Sequence, residues 1–69
     1  MKAAKRLSNW LNKNQQTQSA LAAQLGVTRA AVHQWLTGDN RPSLDMAFAL
    51  ERVTDGYVRA RDWAQGGKR

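Results

Sequence analysis

His33 is the one histidine of the chain, and there is no cysteine, so neither a metal cluster nor a catalytic relay has the ligands it would need. The five carboxylates, Asp39, Asp45, Glu51, Asp55 and Asp62, are scattered, and no serine or threonine stands beside a convincing base. No glycine-rich phosphate loop occurs, and Gly66-Gly67 belongs to the tail. The expectation is therefore no catalytic residue, no metal and no cofactor. The chemistry left to these residue types is recognition by charge and by hydrogen bonds.

Charge is distributed unevenly. Eleven lysines and arginines against five acids give a net charge of +6. Residues 1–38 hold Lys2, Lys5, Arg6, Lys13 and Arg29 with no acid, while all five carboxylates lie beyond them. A shuffled chain of this composition would do so in about one or two trials per hundred, which favours a half that faces a polyanion. A carboxylate beside a DNA phosphate is repelled, so such a face is kept free of acids.

These residues must be held by a small scaffold. Sixty-nine residues make one domain near the lower size at which a chain folds without staples. A hydrophobic content of 42% suffices for a small helical bundle. No apolar run approaches the roughly 18 residues of a membrane span, and no secretory h-region follows Met1. A soluble cytoplasmic protein with no membrane partner is expected.

The apolar periodicity predicts four or five short helices. Leu7, Trp10 and Leu11 make one stripe over residues 3–13, with Trp10 as core, and the polar run NKNQQ ends that helix. Thr17 is an N-cap for a second helix carrying Leu21, Ala22 and Leu25, and Gly26 stops it. Thr28 caps a third helix from Arg29 to about Leu36, with Val32, Trp35 and Leu36 inward and Gly38 at its end. Ser43 caps a fourth, in which Leu44, Ala47, Phe48 and Glu51 recur at helical spacing, Leu50 and Val53 complete the buried side, Met46 and Phe48 are core or rim residues, and Asp55-Gly56 is the stop. A short turn of helix around Trp63 follows; Trp63 either covers the bottom of the bundle or joins a dimer surface. Arg52, Arg59 and Arg61 are expected to be solvated or paired with Asp55 and Asp62. Residues 1–64 form the domain, and 65–69 a flexible tail.

The second and third helices, joined by a short turn around Gly26, have the layout of a helix-turn-helix. Ala22 is small where the two helices cross, Gly26 supplies a left-handed conformation, and Val32 locks the second helix of the pair beneath the first. The outward face of that second helix remains for use.

Gln18, Ala22, Gly26, Val32 and the ending Trp35-x-x-Gly38 resemble the helix-turn-helix of the phage Cro and lambda-type repressor family. The stretch AFALERVTDGYVRARDW is similar to the last part of short phage Cro proteins and of the Cro-like YdaS antitoxin group, so the resemblance covers about residues 5–64. It implies an all-α bundle and a sequence-specific transcriptional repressor of double-stranded DNA, with the third helix in the major groove. The positions matching base-contacting ones are Thr28, Arg29, Ala30 and Gln34, with His33 beside them. Arg29 can bond guanine O6 and N7 together, Gln34 can pair with adenine, and Ala30 can touch a thymine methyl. Phosphate partners would be Lys13, Asn14, Thr17, Gln18, Ser19, Asn40 and Arg41, with Gln18 also bracing the third helix across from Arg29.

A homodimer on a pseudo-palindromic operator, weak or monomeric when free, is expected because one helix reads too few base pairs. The rival reading is a protein-binding module such as a Cro-like antitoxin. Against it, only thirteen residues follow Gly56, which leaves little for a partner-binding segment.

Overall fold

A computed structural model describes residues 3–65 of the chain. It has five α-helices: α1 Ala3–Lys13, α2 Gln18–Leu25, α3 Arg29–Thr37, α4 Leu44–Val53 and α5 Ala60–Gln65. No strand occurs among the described residues, so the fold is the all-α bundle expected. The helix contacts form a closed circuit, α1 to α3 to α2 to α4 to α5 and back to α1. At its centre lie Leu7, Leu21, Val32, Leu50 and Val58, one from each of α1, α2, α3, α4 and the segment before α5. Helices of 6 to 11 residues are too short to persist alone in water, so this shared core holds them.

Local chemistry sets the ends. Ser43 Oγ accepts from the Met46 amide at 3.2 Å and starts α4. The far end of α4 closes at Asp55-Gly56 as expected, with one further device. The helix stops at Val53, and the buried Thr54 makes the corner. Its hydroxyl donates to the Leu50 carbonyl at 2.7 Å and accepts from the Val58 amide at 3.0 Å. Asp55 and Gly56 end the helix as expected: at φ 56° and 84°, their amides donate to the Arg52 and Glu51 carbonyls at 3.2 and 2.8 Å.

Packing corrects several side chains. Leu44 and Phe48 are exposed rather than buried, because α4 turns Ala47 and Leu50 inward. Trp10 is half-buried at the edge of the core, not within it. Trp35 and Trp63 are both buried, so Trp63 covers the bundle; its indole Nε1 has no partner in the protein. Asp62 is not taken by Arg59 or Arg61. Its Oδ2 accepts from the Arg59 amide at 2.9 Å and lies 3.8 Å from Arg6 Nε. Arg6 also donates to the Tyr57 carbonyl at 2.7 Å and lies over the Tyr57 ring at 4.6 Å. One cation of the acid-free half thus fastens α1 to the last segment. Glu51 Oε1 accepts from the Ala60 amide at 2.9 Å at the start of α5. That helix includes Gln65, one residue past the expected domain boundary; the rest of the expected tail, 66–69, lies outside the described residues.

Candidate nucleic-acid interface

The site begins with two capped helices and the turn between them. Thr17, in extended backbone, accepts from the Ala20 amide at 3.0 Å and opens α2. At the other end Gly26 takes φ 74°, its amide donating to Ala23 O at 3.3 Å and the Val27 amide to Ala22 O at 2.9 Å. This paired closure satisfies two of the carbonyls a helix end leaves open, and it requires the left-handed residue at its centre. Two residues on, Thr28 Oγ1 accepts from the Ala31 amide at 3.1 Å and opens α3. The angle between α2 and α3 is therefore set by three adjacent devices: a left-handed glycine, an inward Val27 and a threonine cap. Ala22 and Val32, both buried, lie in the core beneath this pair.

With Val32 and Trp35 buried, α3 presents Arg29, Ala30, His33, Gln34 and Thr37 to solvent. These are one and three residues apart in alternation, a single stripe on a helix surface. Of the four residues matching base-contacting positions, Arg29, Ala30 and Gln34 lie on it, with His33 beside them; the fourth, Thr28, is the exposed cap at its start. Among the described residues Arg29 has no ion pair and no side-chain hydrogen bond within the protein, so its guanidinium fork is free.

Gln34 is held. Asn40 Nδ2 donates to Gln34 Oε1 at 2.6 Å, while the Gly38 and Asn40 amides donate to the Gln34 carbonyl at 3.1 and 3.3 Å. Gly38 takes φ 87° and closes α3 there. The Asn40–Gln34 side-chain pair lies outside the sequence-based expectations, which give Asn40 a phosphate role alone. A glycine stop with an asparagine two residues beyond is the signal that could have suggested it.

The residues expected at phosphates lie at the ends of helices. Thr17 and Ser19 are exposed at the start of α2, and Lys13 at the end of α1. Asn14 is exposed, but its amide donates to the Trp10 carbonyl at 2.9 Å and so closes α1. Gln18 is half-buried, with Oε1 buried and unpartnered, and it makes no hydrogen bond to Arg29. The expected brace between those two is thus not formed in the free protein. Arg41 is exposed past the end of α3, its guanidinium donating to the Trp63 carbonyl at 3.4 Å. Among the described residues no three metal-ligating side chains cluster, and no helix is long and apolar enough to cross a membrane.

An outward helix stripe behind a glycine turn, in an all-α bundle, is the arrangement of a DNA-binding helix-turn-helix protein. The family model described as DNA-binding transcriptional regulator Cro, of the P22 Cro type, matches residues 17–67, about three quarters of the chain. The protein belongs to that family of DNA-binding transcriptional regulators. Comparison with curated proteins and with solved structures gave no match.

Proposed function

We propose that the protein is a Cro-type repressor that binds a pseudo-palindromic operator as a dimer, each copy laying α3 in the major groove and blocking transcription by occupancy. The observation that carries this reading is the solvent stripe of α3, where Arg29 is free and Gln34 is fixed by Asn40. Arg29 reads guanine through O6 and N7, Gln34 reads adenine, Ala30 meets a thymine methyl, and Thr28 and His33 complete the set. Gln34 can serve adenine while bonded to Asn40, because its carbonyl oxygen accepts twice and its amide hydrogens remain free.

Lys13, Asn14, Thr17, Gln18, Ser19, Asn40 and Arg41 grip the phosphates. The first amides of α2 point toward an anion there, since the helix itself leaves them unbonded. Gln18 enters the grip through its amide hydrogens, while its oxygen is buried without a partner in the protein. These contacts set register and affinity, whereas the α3 stripe sets sequence. The site of action is the DNA in the cytoplasm of a bacterial or phage-infected cell.

The test is selection of bound sequences from a random duplex pool at two salt concentrations. A palindromic consensus that persists at the higher salt is the expected result, and its half-site spacing gives the dimer geometry. Binding without a consensus that disappears with salt would reduce the protein to a nonspecific grip on phosphate and overturn the reading.

A further inference from the structure

His33 is exposed in the outward stripe of α3, with Arg29 one turn before it and Thr37 one turn after. Its side chain makes no ion pair and no hydrogen bond among the described residues. It is the one histidine of the chain, and imidazole is the side chain whose charge ordinarily changes between about pH 5 and 8. Lysine and arginine ordinarily keep their charge throughout that range, so they make binding depend on salt but not on pH.

The helices around His33 hold no counter-charge for it. α3 packs against α1 and α2. α2 has no charged residue, and those of α1 are the cations Lys5, Arg6 and Lys13, of which Arg6 is turned to Tyr57 and Asp62. On α3 itself the other charged residue is Arg29. The first carboxylate along the chain is Asp39, past the Gly38 stop and without an ion pair to His33. An imidazolium at position 33 therefore has no anionic partner on its own helix or on either helix packed against it. A duplex laid along the stripe supplies one, because it carries a negative charge for every ~1.7 Å of its axis.

We propose that the duplex draws a proton onto His33 as it binds, so that operator affinity rises as pH falls through the neutral range. The inference rests on α3 facing the groove, as proposed above, and adds the regulation of that same surface. The proton comes from solvent, and the imidazolium it forms donates from both ring nitrogens to acceptors on the duplex. Linkage fixes the sign. The complex favours the charged form, so the gain in affinity is complete below the midpoint of the free imidazole and is lost as pH rises through the midpoint of the bound one. An opposite charge within about 4–6 Å favours the charged form by about tenfold or more, which sets the size of the effect for each copy.

The experiment measures the affinity of wild type and of His33→Gln for the selected duplex at about pH 5.5 and about pH 8, at fixed salt. Glutamine suits an exposed helix position, can still hydrogen-bond and does not titrate; every other titrating group is common to the two proteins. Relative to the variant, wild type should gain about fivefold or more in affinity per copy at the lower pH. Parallel pH profiles, whether or not the variant is weaker overall, would overturn the linkage and leave the operator reading standing. A second measurement needs no substitution. The single imidazole Hε1 resonance, followed by NMR across the pH range, should reach its midpoint at higher pH with duplex than without. A midpoint that the duplex does not move would contradict the proposal. If selection returns no consensus, the operator reading fails, and the two midpoints measured on random duplex still decide whether binding protonates His33.

Discussion

Replacing Gly26 tests the turn on which the reading helix depends. Its φ is 74°, and a Cβ built there meets nothing within 4 Å. A substitution therefore causes no collision, and its cost is backbone strain alone. For alanine that strain is about 1–2 kcal/mol. Asparagine visits this conformation readily and should cost less, while valine, branched at Cβ, should cost more than alanine. In a domain of this size each kcal/mol lowers the melting temperature by roughly 4–8 °C. Gly26→Ala should then melt roughly 4–16 °C below wild type, with Gly26→Asn nearer wild type and Gly26→Val lowest. Thermal unfolding followed by circular dichroism at 222 nm gives the three midpoints directly. Binding to the selected duplex well below each midpoint should stay close to wild type for Asn and Ala, because the capping amides of Gly26 and Val27 remain. Three equal midpoints, or Asn lowest, would refute the left-handed turn and with it the α2–α3 geometry.

Three further changes separate reading, positioning and folding. Arg29→Ala should cost about 1–3 kcal/mol on the selected site and little on random duplex, measured by fluorescence anisotropy; equal loss on both would remove its role as a base reader. Asn40→Ala frees the Gln34 carboxamide and should weaken discrimination by about 0.5–1.5 kcal/mol at the base pair that Gln34 reads. If affinity instead falls uniformly across all sequences, Asn40 acts at phosphate and not through Gln34. Thr54→Val keeps the shape of the side chain but strands the buried Val58 amide, so unfolding in urea should show a loss of about 1–3 kcal/mol with half-site binding preserved below the transition. An unchanged midpoint would mean that the hydroxyl does not hold the α4–α5 corner.

Reading the sequence located what depends on neighbours in the chain. Thr17, Thr28 and Ser43 all cap their helices, and Gly26 and Gly38 both take positive φ, because a cap or stop needs only a few consecutive residues of suitable type. The outward stripe of α3 was legible for the same reason: once Val32 and Trp35 face inward, helical spacing exposes positions 29, 30, 33 and 34. The family, too, was readable from that local pattern, and the match over residues 17–67 establishes it.

Distance along the chain hid the rest. Arg6 counts as one more cation in an acid-free half until folding brings it to Tyr57, 51 residues away, and to Asp62. The partner of Gln34 depends on how the chain leaves α3. Thr54 looks like an ordinary polar residue near a helix end, and only the return of Val58 buries it. On α4 the apolar pattern runs more than halfway round the helix, so periodicity alone could not say which part faces in. Packing against α2 and α5 settled that, burying Ala47 and Leu50 and leaving Leu44 and Phe48 in water. Caps, stops and the reading stripe are determined by local bonding and helical spacing; the fasteners and the exposed α4 face follow from contacts that exist only once the bundle has closed.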